Sequence, residues 1–170
     1  FRSGFSLPMV LLTGIVFFTG VLTMWELEHR VKEFYAFYFL LVTGVFGLFM
    51  SLDLFFIFIW YDVSLFPMYP LIAIWGSTRK EYGAMKLTLY LLAGSALILP
   101  AIIFLHVQAG GSTYDITALM RPGTFSAADQ KLAFFLLYIG FGILAAVWPF
   151  HTWSPVGHVA APTAVSMVHA

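Results

Sequence analysis

The chain has 170 residues and contains no cysteine, which excludes disulfide bridges, thiolate metal sites and thiol catalysis. Charged residues make up only 9% of it, against about 25% in an average soluble domain. The 8 basic and 8 acidic residues balance, so nothing in the composition suggests nucleic acid as a partner. Because 61% of the residues are hydrophobic, the composition predicts an integral membrane protein.

The apolar residues form continuous stretches of about 20 residues, the length of a membrane-spanning helix, and not the short alternating strands of a barrel. We therefore predict an all-α, polytopic transmembrane helix bundle that forms a single domain over residues 1–170. The predicted spans are residues 5–25, 34–52, 54–76, 86–107 and 132–159, followed by the start of a sixth at 162–170. The chain begins with Phe1 and stops in an uncharged stretch, so we expect it to be a fragment of a longer protein.

Prolines interrupt the fifth predicted span. Pro149 and Pro155 each remove one backbone donor, and Gly157 follows, so we expect this helix to be broken near residues 149–157. The preceding loop, 108–130, carries a short helical candidate at 116–121. Asp53 opens the third span, where a carboxylate favours the exposed amides of a helix start.

Basic residues predict the orientation. One side of the predicted bundle holds five of them, and the other side holds three, which are Arg2, Arg121 and Lys131. By the positive-inside rule, the first side is cytoplasmic. Its basic residues are Arg30, Lys32, Arg79, Lys80 and Lys86.

Asp62 is the one charged residue of the third span, and a carboxylate near the bilayer centre is costly. Pro67 and Pro70 free the carbonyls of Val63 and Phe66 beside it, where water can bind. A hydrated Asp in this setting can exchange protons. The alternative is a structural Asp that stays protonated or pairs with a Trp, Tyr or Ser on a neighbouring helix.

Three further residues are candidates for proton transfer. Lys86 lies near the start of the fourth span, either facing a polar interior as the partner of an acid or extending to the membrane interface. His151 and His158 flank the predicted break and would share a face on an unbroken helix. They form either a relay or a pair that hydrogen-bonds to freed carbonyls. His106 and His169 are weaker candidates, and no residue pattern predicts a metal or cofactor site.

Two stretches carry a resemblance to a known family. WYDVSLFPMYPLIAIWGSTRKEYGAMKLTLYLLAGS (60–95) and WPFHTWSPVGHVAAPTAVSM (148–167) resemble the antiporter-like, proton-translocating subunits of respiratory complex I. Within these subunits they are most similar to the M type, also called chain 4. The resemblance implies a many-helix subunit of NADH:quinone oxidoreductase that carries no redox cofactor and contains a discontinuous helix.

The resemblance also implies roles for particular residues. Asp62 matches the acid of the acid–lysine pair that gates proton transfer in the family, Lys86 matches a helix lysine, and His151 and His158 match histidines of the discontinuous helix. This sequence departs from the family pattern at two positions: Leu144 stands where the family has a lysine, and Val156 where it has an acid. A leucine there cannot exchange a proton or act on Asp62 by charge.

The leading hypothesis is therefore a proton-translocating subunit of a bacterial cell-membrane complex, with other membrane subunits and the bilayer as partners. Other subunits would handle quinone and NADH. One alternative is a subunit of a multisubunit Na⁺/H⁺ antiporter, which would share the fold. A second is the membrane subunit of a membrane-bound hydrogenase, and a third is a degenerate paralogue that does not pump.

Overall fold

A computed structural model describes residues 6–121 and 123–170. Two residues used in the predictions lie outside the described residues. They are Phe5, the first residue of the predicted first span, and Arg2, one of the basic residues that predict the orientation. The described part of the chain is helical and contains no strand. Its helices are α1 (Ser6–Thr23), α2 (Val31–Met50), α3 (Leu54–Trp75), α4 (Lys80–Gln108), α5 (Ile116–Leu119), α6 (Ala127–Leu144), α7 (Trp153–Ala160) and α8 (Thr163–His169).

Five of these helices, α1, α2, α3, α4 and α6, are long and apolar enough to cross a membrane. The prediction of an all-α transmembrane bundle is confirmed. The inner faces meet in a core to which α2, α3, α4 and α8 all contribute. The outer faces keep large apolar side chains exposed, as helices facing lipid do, among them Phe18, Phe66, Leu89 and Phe134.

A tight turn joins α2 to α3, which pack against each other along most of their length. The Asp53 carboxylate accepts hydrogen bonds from the amides of Phe55 at 2.9 Å and Phe56 at 3.1 Å. The predicted capping role of Asp53 is therefore confirmed. Gly44 of α2 lies against the backbone of Ser64 in α3, where an added Cβ would come within 2.7 Å of the Ser64 nitrogen.

The fourth helix begins at Lys80, six residues before the predicted start at Lys86. The predicted span began where the apolar run begins, but the polar residues before this run also belong to the helix. Glu81 lies in the first turn, where negative charge favours the helix dipole. The Lys80 ammonium donates to the carbonyl of Ile74 at 2.8 Å and so ties the start of α4 to the end of α3.

The predicted fifth span, 132–159, also differs from the structure. Ser126 and Asp129 form a capping box, so α6 begins at Ala127 rather than at residue 132. It ends at Leu144, and a 3₁₀ turn, Phe150–Thr152, comes before α7. The break was predicted near 149–157 and lies earlier, at residues 145–152.

Pro155 and Gly157 do not cause the break, because both lie inside α7. Pro155 occupies the third helical position, where a backbone N–H has no partner within the helix, so the proline costs nothing there. Gly157 serves close packing, since a Cβ at this position would approach a methyl carbon of Leu87 to 2.5 Å.

Both ends of α7 are fastened to earlier parts of the chain. The Trp153 indole N–H donates to the carbonyl of Ile143, at the end of α6, at 2.9 Å. Ser77, which follows α3, donates from its amide to the carbonyl of Ala160 and from its hydroxyl to that of Val159, both at 2.9 Å. These bonds satisfy carbonyls that the end of a helix leaves without partners.

The loop between α4 and α6 is ordered by its own polar residues. Its short helix, α5, ends two residues before the predicted end at 121. Asp115 caps α5 through the amide and hydroxyl of Thr117. Asp115 also forms an isolated bridge with Asp53, which holds the loop against the start of α3.

Candidate functional site

Asp62 lies near the middle of α3, eight residues after Leu54 and thirteen before Trp75. Its side chain is half-buried, and its Oδ1 accepts a hydrogen bond from the hydroxyl of Ser95 in α4 at 2.8 Å. Ser95 is only 4% exposed. Of the partners predicted for a structural Asp, a serine on a neighbouring helix is the one present.

Pro67 and Pro70 lie inside α3 without breaking it. Each lacks an N–H, so the carbonyls of Val63 and Phe66 lose their helical partners. These two carbonyls follow Asp62 along the helix within about 6 Å at 1.5 Å per residue. The backbone near the carboxylate is therefore more polar than the side chains suggest.

Asp62 opens onto a groove between α3 and α4. The groove is mostly apolar, although Asp62 and Thr88 are among the residues that line it. The Thr88 hydroxyl oxygen is buried and has no hydrogen-bond partner among the described residues. The other residues of the groove are Phe37, Leu65, Phe66, Tyr69, Pro70 and Leu92.

Lys86 does not contact Asp62. It is half-buried in the second turn of α4, and its ammonium lies 5.9 Å from the centre of the Tyr82 ring. Ser95, which holds Asp62, is nine residues further along the same helix, about 13 Å at 1.5 Å per residue. Within residues 6–121 and 123–170, no basic side chain forms an ion pair with Asp62.

Leu144 packs against Gly94 of α4, the residue before Ser95. A methyl carbon of Leu144 would lie 2.7 Å from a Cβ added at Gly94. The position that carries a lysine in the resembled family is thus at the depth of the carboxylate. Here it contributes only packing between α6 and α4.

The structure separates His151 from His158. His151 is exposed in the 3₁₀ turn, whereas His158 is half-buried in α7, so the two do not share one helix face. The His158 Nδ1 is 2.9 Å from the hydroxyl of Ser166 in α8. The Thr152 hydroxyl, next to His151, donates to the Tyr90 hydroxyl at 3.2 Å.

His169, a weaker candidate from the sequence, lies against His158 in the structure. Its ring centre lies 5.1 Å from that of His158 and 5.4 Å from that of Trp153. Ser166 and His169 are three residues apart and so share a face of α8, a spacing that the sequence contained. The two histidines come together across the turn between α7 and α8.

His169 also lines a cavity of about 470 Å³ among α1, α2, α3 and α8. Tyr61 and Leu144 line the same cavity. The Tyr61 hydroxyl is buried and has no hydrogen-bond partner among the described residues. Tyr61 lines this cavity, and the next residue, Asp62, lines the groove described above. The helix α3 therefore lies between the cavity and the groove.

These features define an integral membrane helix bundle with a carboxylate held midway along an apolar helix and a broken helix that carries histidines. The chain belongs to the NADH:quinone oxidoreductase/Mrp antiporter transmembrane family, whose sequence profile matches residues 51–170. The predicted family and the predicted membrane location are both confirmed.

Curated relatives match nearly the whole chain. It is 35% identical over 165 residues to NAD(P)H-quinone oxidoreductase chain 4-2 of Synechocystis, covering 97% of this chain and 29% of that protein. It is 34% identical over 177 residues to NADH-quinone oxidoreductase subunit M of Rhodobacter capsulatus, covering 97% and 34%. The chain therefore spans about a third of the length of these relatives.

A solved structure shares the fold. The archaeal membrane-bound sulfane sulfur reductase, a respiratory membrane complex, contains a chain that matches with a TM-score of 0.77. The match covers 96% of this chain and 28% of that one, at 17% identity. At this identity the likeness describes the arrangement of the helices and not their chemistry.

Proposed function

We propose that this chain is part of a proton-translocating membrane subunit of an NADH:quinone oxidoreductase, of the subunit M or chain 4 type. Protons pass through the middle of the bundle, and Asp62 takes them up and releases them. The observation that supports this most is the position of Asp62, a carboxylate midway along an apolar helix that forms no ion pair with any described basic side chain. Such a costly residue favours a functional role.

The remaining parts of the proposal extend the resemblance described for the sequence. NADH and quinone chemistry belongs to other subunits of the complex, and this chain supplies proton transfer without a cofactor of its own. Its partners are other membrane subunits in a bacterial cell membrane, with the Lys80 end of α4 on the cytoplasmic side. Lys86, His151 and His158 are the further candidates for proton transfer, joined by His169, which lies against His158.

An antiporter subunit of the Mrp type is the second candidate, because the family that matches includes both groups. A membrane-bound hydrogenase subunit is a related option. Leu144 and Val156, which replace the lysine and the acid of the resembled pattern, support a further reading as a copy that does not pump. The role of Asp62 decides between a pumping and a purely structural subunit.

The test replaces Asp62 in the intact complex. Asp62→Asn keeps the size of the side chain and its contact with Ser95 but removes the exchangeable proton. We expect proton translocation in inverted membrane vesicles to fall at least tenfold while the subunit remains assembled. Asp53→Asn is the matched control, because asparagine also caps a helix and this site lies at the helix end. If Asp62→Asn translocates protons as fast as Asp53→Asn, Asp62 is structural.

A further inference from the structure

Five serine and threonine side chains in α1, α2 and α3 share one arrangement. Each hydroxyl donates to a carbonyl of its own helix three or four residues earlier, at 2.7–2.9 Å. This is the ordinary arrangement in an apolar helix, because the hydroxyl needs a partner and the preceding turn holds the nearest one. The five residues are Thr13, Thr19, Thr23, Thr43 and Ser64.

Ser95 of α4 departs from this arrangement. Its hydroxyl donates to Oδ1 of Asp62 in the neighbouring helix at 2.8 Å. The acceptor that the ordinary arrangement would use is the Leu91 carbonyl, four residues earlier in α4. A carbonyl oxygen has two lone pairs, so it can accept a hydroxyl in addition to the helical N–H. Ser95 therefore has two acceptors within reach of its side chain, and the carboxylate is the one it contacts in this structure.

The charge of the carboxylate explains this choice of acceptor. A hydrogen bond to an ionised carboxylate is roughly twice as strong as one to a neutral acceptor, and Ser95 is buried, so little water competes for its hydroxyl. Once Asp62 takes up a proton, the acceptor is neutral and this advantage is lost. The Leu91 carbonyl is then a comparable partner, which the hydroxyl reaches by a rotation of χ1 between staggered positions.

Ser95 is also the one side chain in the described part of the chain that hydrogen-bonds to the carboxylate of Asp62. Among the same residues, no basic side chain forms an ion pair with Asp62. Leu144, at the lysine position of the resembled pattern, places a methyl carbon against Gly94, next to Ser95. A hydroxyl thus contacts the carboxylate in a bundle that offers it no ammonium.

We propose that Ser95 is a positioning residue that takes the place of a basic partner for Asp62. Its hydroxyl donates to Asp62 while the carboxylate is ionised, and turns to the Leu91 carbonyl once Asp62 is protonated. Ser95 keeps its own proton throughout and changes only its acceptor, so Asp62 alone carries the transferred proton. The proposal rests on the proposed function for proton transfer at Asp62 and adds the neutral side chain that controls it.

The first test removes the hydroxyl in the intact complex. Ser95→Ala leaves the ionised carboxylate without a donor and so disfavours the ionised form. We expect proton translocation in inverted vesicles to fall about tenfold or more, the factor that a hydrogen bond to a charged group commonly contributes. Ser64→Ala is the matched control, because Ser64 is similarly buried but donates within its own helix, to the Tyr61 carbonyl. Equal rates in the two variants overturn the proposal.

The pH dependence separates positioning from packing. A higher pH favours the ionised carboxylate without help from Ser95. The rate of Ser95→Ala relative to that of Ser64→Ala should therefore recover as the pH is raised. A side chain that served only packing would leave this ratio the same at every pH, and that result contradicts the proposal.

Infrared difference spectroscopy of the intact complex, between low and high pH, tests the exchange of acceptors. The protonated carboxyl of Asp62 contributes a C=O stretching band, which is recognised because Asp62→Asn lacks it. If Ser95 has turned to Leu91 in this state, Ser95→Ala leaves the frequency of the band unchanged. A band that moves to higher frequency in Ser95→Ala means that the hydroxyl still donates to the protonated group, and the exchange of acceptors is then wrong.

A double variant covers the case in which Ser95→Ala fails to assemble. Asparagine carries no charge and does not need the hydroxyl, so Ser95→Ala combined with Asp62→Asn should assemble where Ser95→Ala alone does not. If the double variant also fails, Ser95 serves only to pack α4 against α3, and its proposed role is refuted.

The two proposals fail in different ways. If Asp62→Asn disables translocation while Ser95→Ala matches Ser64→Ala, only the role of Ser95 is refuted. Unchanged translocation in Asp62→Asn refutes the proposed function, and the role of Ser95 in proton transfer is refuted with it.

Discussion

Gly44 allows α2 to approach α3 closely beside the site, so Gly44→Ala is a sharp test of the packing. The added methyl would meet the nitrogen and Cβ of Ser64 at 2.7 Å and its Cα at 2.9 Å. Carbon atoms normally sit about 3.5 Å apart, so the helices must separate by roughly 0.7 Å. Two of these three atoms are backbone, which cannot rotate away, and overpacking of this kind costs about 1–3 kcal/mol.

Gly14→Ala is the matched control, because a Cβ there meets nothing within 4 Å. Both changes bring the same gain in helix propensity, about 1 kcal/mol, which cancels between them. The difference between the variants should therefore equal the packing cost, about 1–3 kcal/mol.

The measurement is thermal unfolding of the detergent-solubilised complex, together with proton translocation in vesicles. We expect Gly44→Ala to unfold at a lower temperature than Gly14→Ala. It should also translocate more slowly, because Ser64 follows Asp62 by two residues and a displaced α3 lengthens the 2.8 Å bond to Ser95. If the two variants unfold at the same temperature, the close contact between α2 and α3 is not present in the protein.

Two further predictions concern charge. Leu144→Lys places an ammonium against Gly94, the residue before Ser95, and we expect the ammonium to pair with Asp62 and the variant to assemble normally. The double variant Leu144→Lys, Asp62→Asn leaves that charge unpaired and should lose about 3–5 kcal/mol, so equal assembly of the two variants contradicts this arrangement. Hydrogen bonds from the Thr117 hydroxyl and amide lower the pKa of Asp115 below its ordinary value of 3.8, so this cap stabilises the loop above about pH 4. Protection of the Thr117 amide in hydrogen exchange should fall as the pH drops through the lowered pKa, and Asp115→Asn should remove this pH dependence.

The spans and the position of Asp62 were predictable because long apolar runs and a lone carboxylate are strong local signals. The cap at Asp53 was predictable for the same reason. The start of α4 was not, since Lys80 and Glu81 are as compatible with a loop as with a helix extending past the membrane. Tertiary contacts decide between them, among them the bond from Lys80 to the Ile74 carbonyl and the close packing of Gly83 against Ala160.

The break and the histidines show a different limit. Pro155 suggested an interruption, but the effect of a proline depends on its position in a helix. Because α7 starts at Trp153, Pro155 lies in its first turn, where a proline is tolerated. The contact between His158 and His169 depends on the direction of the chain at the turn between α7 and α8, which no spacing within either segment reveals. The bond from the Ser95 hydroxyl to Asp62 likewise depends on how α3 and α4 face each other.

The fastening of α7 has a consequence for the order of assembly. With eight residues, α7 is shorter than the roughly 12–15 residues that an isolated helix needs to be stable. The groups that hold its two ends, Ser77 and the carbonyl of Ile143, both precede it in the chain. During synthesis from the N-terminus, the acceptor for the start of α7 and the donors for its end emerge before α7 itself, so both ends of α7 can be held as soon as it forms.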